Sequence, residues 1–110
     1  MKTMKDYNGN TIEVYQDKDI KGISHYISAA DRMWHKEWEL QGEKDEGSCC
    51  LGKAIQLYYI PPRARNYKKK SIIQSPPTQG NISASQSVQP ALDFLKSMGV
   101  EAFYYDGILD

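Results

Sequence analysis

Apolar and polar positions repeat with different periods along the chain, and each change of period marks an element. In DYNGNTIEVYQ, Asn8-Gly9 precedes a stretch in which Ile12 and Val14 fall on one side and Glu13 and Tyr15 on the other. This predicts a turn running into a short strand. At Ser28 the period becomes helical. The Ser28 hydroxyl is suited to cap a helix, Asp31 stands three residues on as the acidic partner of a capping box, and Ala30, Met33, Trp34, Trp38 and Gln41 line one face up to Gly42. A helix over 29–41 is expected, with a further turn of helix around Ile23 to Ile27. The acidic GEKDEGS that follows reads as a loop.

Period two returns from Cys50 to Ile60, where Ile55, Leu57 and Tyr59 face one way and Ala54, Gln56, Tyr58 and Ile60 the other. Pro61 and Pro62 end this strand, because proline has no donor for a sheet ladder. Beyond a basic loop, Ser71 to Gln74 reads as a short apolar strand and SPPTQGN as an extended segment followed by a turn. Ser87 is expected to cap a second helix with Pro90 at its third position, where a missing amide costs no hydrogen bond. Val88, Ala91, Leu92, Leu95 and Met98 share a face of that helix, and Gly99 stops it. VEAFYYDGILD alternates Val100, Ala102 and Tyr104 against Glu101, Phe103 and Tyr105, then turns at Asp106-Gly107, as a closing strand would. The expected fold is α+β: a small, mostly antiparallel sheet with about two packed helices, in a single domain spanning residues 1–110.

Length and composition agree with that architecture. A chain of 110 residues with a 40% hydrophobic share can bury one modest core. It has no apolar run of membrane-spanning length, and MKTMKDYNGN lacks the apolar centre of a signal peptide, so a cytoplasmic protein with no membrane partner is expected. Cys49 and Cys50 are adjacent, which precludes a spaced disulfide framework and predicts free thiols.

Charge adds a segregation that the zero net value conceals. Glu37, Glu39, Glu43, Asp45 and Glu46 are accompanied only by Lys44, whereas Arg63, Arg65, Lys68, Lys69 and Lys70 crowd into eight residues without an acid. Such asymmetry can orient an anionic ligand or drive association between copies. For either run, plain solvated surface is the competing interpretation.

Catalytic chemistry finds little support. His25, His35, Cys49 and Cys50 are the soft metal ligands, but two adjacent cysteines rarely converge on one ion, and neither metal nor cofactor is expected. Asp31, His35 and Glu39 fall at successive i, i+4 steps and read as a polar helix stripe. No glycine-rich elbow exposes a nucleophile, and no phosphate loop or dinucleotide fingerprint is present, so the chain is not read as an enzyme.

The basic segment needs neither base nor nucleophile. On an extended backbone, Arg63 and Arg65 would project to the same side and could grip phosphate with planar forks, while Lys68 to Lys70 add an unoriented positive field. Tyr58, Tyr59 and Tyr67 flank the cations with faces on which a base or ribose could stack. Gln79, Gly80 and Asn81 offer amides beside a backbone that can approach closely. Together they suggest a nucleotide site.

The run from LYYIPPRAR through SPPTQGNISASQSVQPALDFLKSMGVEAFYYDGILD, about half the chain, resembles the C-terminal part of the phage Thoeris anti-defence sponges. The shared pattern is a proline-framed arginine segment, a Gly-Asn turn, a helix ending in Lys-x-x-Gly and a terminal Asp-Gly turn. The resemblance implies non-enzymatic sequestration of a cyclic ADP-ribose isomer, with cyclic oligonucleotides as further ligands, in a homo-oligomer whose interfaces form pockets. It implies ligand contacts at Arg63, Arg65 and the Gln79–Asn81 turn, and the expected ligand-binding set is Arg63, Arg65, Lys68, Tyr59, Gln79, Gly80, Asn81 and Tyr105. Two other functions are weighed. One is a small nucleic-acid-binding module, which zero net charge and a single short basic stretch make unlikely as a large footprint. The other is a protein-interaction inhibitor that uses the acidic Glu37–Glu46 surface.

Overall fold

In the computed structural model, which describes residues 2–48, 50–78 and 80–109, Lys2–Lys5 (β1) and Thr11–Val14 (β2) form an antiparallel hairpin. Its loop is closed from within. The Asp6 carboxylate accepts the Asn8 and Asn10 amides at 2.9 and 2.8 Å, and Gly9 takes φ 81°, a conformation that favours glycine. The expected turn and strand are there, and β1 is an additional partner.

Two helices follow. Asp17–Gly22 (α1) is short, with the Gln16 amide donating to Asp19 at 2.9 Å, a bond that holds the Asp19 carboxyl below its ordinary range. Ser24–Leu40 (α2) takes in the helical turn expected around Ile23 to Ile27 and runs on without a break, so Ser28 lies inside it instead of capping it. The reason is burial: Ile23, Tyr26 and Ile27 pack against the core, so tertiary contact carries the helix back past the capping signal. Gly42, at φ 91°, ends α2 as expected.

Cys50–Leu51 (β3) leads to Ala54–Tyr59 (β4), the central strand, which pairs antiparallel with Lys68–Gln74 (β5) on one side and Phe103–Tyr105 (β6) on the other. Ile108–Leu109 (β7) pairs with β3. The hairpin joins the sheet through a parallel bridge, Tyr15 N to Tyr58 O and Ile60 N to Tyr15 O, both 2.9 Å. Cys49 lies outside the described residues, so the thiol-pair expectation has no structural counterpart.

Asn81–Ser97 (α3) begins six residues before Ser87. Ser87 is therefore an interior residue, fully buried against α2: its Oγ donates to the Ser83 carbonyl at 2.8 Å and accepts from Trp34 Nε1 at 3.0 Å. Small residues Ser83, Ala84, Ser87 and Ala91 leave room for the Trp34 indole. Pro90 sits mid-helix. The Gln86 carbonyl that its missing amide cannot reach accepts instead from Gln41 Nε2 at 3.1 Å, so the helix continues through the proline. Gly99, at φ 80°, terminates it as the sequence indicates.

Helices α2 and α3 pack together and cover the Ile55, Leu57 and Tyr59 face of β4, with Val88, Leu95 and Val100 completing the core. The protein is thus a single-domain α+β fold with a small antiparallel sheet, and the third helix is the short α1. Among the described residues no helix is long and apolar enough to cross a membrane.

Candidate functional site

The double proline is followed by a turn. Ala64 N donates to Pro61 O at 3.1 Å and Arg63 stands third in the turn at φ 65°, the position that glycine favours in a type II turn with proline before it. Arg63 is thus a bulky residue in left-handed backbone, which costs on the order of 1–2 kcal/mol. This corrects the expectation of an extended backbone through Arg63 and Arg65. Both arginines are exposed, and neither forms an ion pair among the described residues.

Lys68, Lys69 and Lys70 are strand residues, not loop residues, and stand opposite Tyr59, Tyr58 and Leu57 in the β4–β5 ladder. A charge run fits there because β5 is an edge strand, where lysines deter pairing with another sheet. The pleat then orients the charges, correcting the expectation of an undirected field. Lys68 and Lys70 lie 6.0 and 5.0 Å from the Tyr59 ring, whereas Lys69 lies 5.9 Å from Phe103 on the other face. Such alternation also keeps the three from tracking one phosphate backbone together.

Tyr59 belongs to the core side. It is 7% exposed and its hydroxyl donates to Asp17 Oδ1 at 2.6 Å, a bond that raises its pKa. Tyr58 faces the side that carries no helix among the described residues. Its ring meets Phe103 at 5.0 Å and Tyr67 edge-on at 5.1 Å, and the exposed Tyr7 lies 6.5 Å beyond Tyr67. Burial raises the Tyr67 pKa. In the next row of β4, Gln56 is 8% exposed; its Nε2 donates to Ser71 Oγ at 3.1 Å and its Oε1 has no donor among the described residues. Phe103 is the member that sequence reasoning missed. Its alternation with Glu101 and Tyr105 is visible, but only the β4–β6 pairing, which sets Phe103 opposite Gln56, brings it to Tyr58.

The remaining expected contacts lie elsewhere. Tyr105 pairs with Ala54 at the opposite end of β4 from Tyr59, five residue steps or roughly 17 Å away. Gly80 and Asn81 open α3 and are engaged with the acidic loop. Gly80 N donates to Asp45 Oδ1 at 2.7 Å, the Ile82 and Ser83 amides reach the Glu46 carbonyl at 3.1 and 3.2 Å, and a Cβ on Gly80 would run into the Glu46 backbone. The Asn81 side chain accepts from Ser48 N at 2.9 Å and donates to Asp106 at 3.1 Å. Gln79 lies outside the described residues. One chain therefore gathers Arg63, Arg65, Lys68 and Tyr59 around one end of β4 and Gly80, Asn81 and Tyr105 around the other.

On α2, His35 Nδ1 lies 3.3 Å from Asp31 Oδ1 and 3.0 Å from the Asp31 carbonyl oxygen. Both side chains are substantially exposed. Among the described residues, no three His, Cys, Asp or Glu side chains cluster as metal ligands. Comparison with models of known protein families, with curated proteins and with solved structures finds no match.

Proposed function

We propose that this protein binds and sequesters a small nucleotide without turning it over, as a homo-oligomer. The ligand would be a cyclic ADP-ribose isomer or a cyclic oligonucleotide used as an immune signal, and its removal would counter host anti-phage defence in the cytoplasm. The observation that carries the reading is the helix-free face of the sheet, where the Tyr58, Tyr67 and Phe103 rings adjoin one another beside Lys69. Rings stack on bases and cations neutralise phosphate, which are the two demands of a nucleotide.

The strained Arg63 adds to this. Left-handed backbone at a non-glycine residue persists where its surroundings over-determine it, commonly at ligand clamps, and here it presents a guanidinium at the loop beside the basic strand. Arg63, Arg65 and Lys69 are assigned to phosphate, because Lys68 lies on the Tyr59 face of the strand. Gly80, Asn81 and Tyr105 would join the site from a second copy, since they lie across β4 from the cations of their own chain; two-fold symmetry is the simplest way to bring the two ends together.

Native mass spectrometry after incubation with cyclic ADP-ribose isomers and cyclic oligonucleotides tests this reading. An oligomer that releases intact nucleotide on denaturation, about one per pocket, is the expected result. A bare monomer with every ligand would refute it. Replacing Arg63 and Arg65 together by Ala should abolish capture and leave the fold intact.

A further inference from the structure

The β1–β2 hairpin and the helix-free face of the sheet enclose a groove of about 470 Å³ lined by Thr3, Thr11, Glu13, Tyr58, Glu101 and Phe103, with Ile12 and Ala102 between them. That volume is within the range of small-molecule sites, about 300–1,000 Å³. Its chemistry differs along its length. Its lining includes the aromatic residues Tyr58 and Phe103, the acidic Glu13 and Glu101, and Thr3 and Thr11, of which Thr11 Oγ1 accepts from Lys5 Nζ at 2.8 Å, while Lys69, opposite Tyr58 in the ladder and 5.9 Å from Phe103, supplies a cation on the β5 side.

Phosphate alone would be repelled by the carboxylates, and a purely apolar ligand would leave them desolvated without a donor. A nucleoside phosphate answers every group. Its base stacks on rings, its ribose hydroxyls donate to carboxylates, as they do to the acidic residue of dinucleotide-binding folds, and its phosphate goes to the cationic side. The scaffold also holds the carboxylate end in place. The buried Tyr15 hydroxyl accepts from Glu101 N at 2.9 Å, and the Tyr15 backbone is the bridge that fixes the hairpin to β4.

We infer that the hairpin groove is the nucleoside subsite of the ligand proposed above, with the base against Tyr58 and Phe103 and ribose hydroxyls on Glu13 and Glu101. This rests on the nucleotide-binding reading and adds an orientation: sugar toward the hairpin, phosphates toward Lys69 and the arginine loop.

The test is titration calorimetry on the full chain with two probes, ADP-ribose and inorganic pyrophosphate. Tyr58→Ala and, separately, the double variant Glu13→Gln with Glu101→Gln should each weaken ADP-ribose by about tenfold or more while pyrophosphate is unchanged. Arg63→Ala with Arg65→Ala should weaken both. The double glutamine variant alters only side chains at the groove surface, so it stays informative if Tyr58→Ala fails to fold. If the glutamine variant binds ADP-ribose within twofold of wild type while the arginine variant does not, the groove is not the nucleoside subsite and nucleotide binding stands. If wild-type protein binds none of ADP-ribose, its cyclic isomers and cyclic oligonucleotides, both inferences fall.

Discussion

Tyr58 and Tyr59 are consecutive residues of one strand, and the pleat sends them into different surroundings. Tyr59 turns toward α1 and the core, where burial and the bond to Asp17 fix its ring. Tyr58 turns toward the helix-free face, where its neighbours are Tyr67, Phe103 and the groove under the hairpin. The two faces of β4 therefore differ: one is closed by α2 and α3 and supplies stability, and the other leaves its rings half-buried, where the proposed ligand would stack. Residue type alone does not separate those roles, because a ring that could stack on a base is equally able to fill a core.

The sharpest way to break this comparison is to truncate each face in turn. Leu57→Ala, on the closed face and fully buried, should lower the unfolding free energy by about 2–5 kcal/mol in a denaturant titration. Tyr58→Ala should cost less than about 1.5 kcal/mol, because it loses ring contacts but leaves no enclosed cavity. Equal losses would mean that the open face is a second core. Next in size is Trp34→Phe, which removes the indole donor shared by Ser87 Oγ and the Ala84 carbonyl and should cost about 1–3 kcal/mol. Ser87→Ala leaves the Ala84 bond in place and should cost less than Trp34→Phe; the reverse order would show that the hydroxyl, not the indole, holds α2 to α3.

The closed face was also the legible one. The two-sided pattern of β4, the Trp34 stripe and the Gly99 stop could all be read directly, because burial writes a period into the sequence. The errors arose where a distant partner overrode a local signal. Pro90 and the serine run around Ser83 and Ser87 look like the approach to a helix, but Gln41 satisfies the carbonyl that the proline leaves unpaired, and Trp34 fills the space above the small residues. Lys68 to Lys70 look like a loop because charge is rare in strands, yet an edge strand accommodates it. The arginine loop was legible in composition and not in geometry: two prolines announce a bend, but nothing local says that Arg63 would take the glycine position of the turn. The groove was illegible for a simpler reason, since its walls come from the hairpin, β4 and the approach to β6.

The arginine turn gives a smaller effect with the opposite sign. Arg63→Gly relieves the left-handed backbone and should stabilise the fold by roughly 1 kcal/mol, partly offset by the greater freedom of glycine in the unfolded chain. Nucleotide capture should weaken in the same variant. Higher stability with lower affinity would identify Arg63 as a residue kept for binding, and unchanged affinity would remove it from the site.

The smallest effect concerns Tyr59 itself and appears only in alkali. Its hydrogen bond to Asp17 favours the neutral phenol, so the folded-state pKa lies above the unfolded value of about 10. Below that unfolded value both states keep the proton and the bond contributes its full stability. As pH rises from there through the higher folded value, the unfolded chain ionises first and the contribution is lost. Tyr59→Phe has no such proton, so its melting temperature should decline less steeply between about pH 9 and 11 than that of wild type, although it starts lower at neutral pH. Tyr15 and Tyr67, both raised chiefly by burial, remain in the variant and should leave a residual slope. If Tyr59→Phe keeps the wild-type alkaline limb, the Asp17 bond does not hold the Tyr59 phenol neutral, and the fixed ring that sets the closed side of β4 apart from the open one is lost.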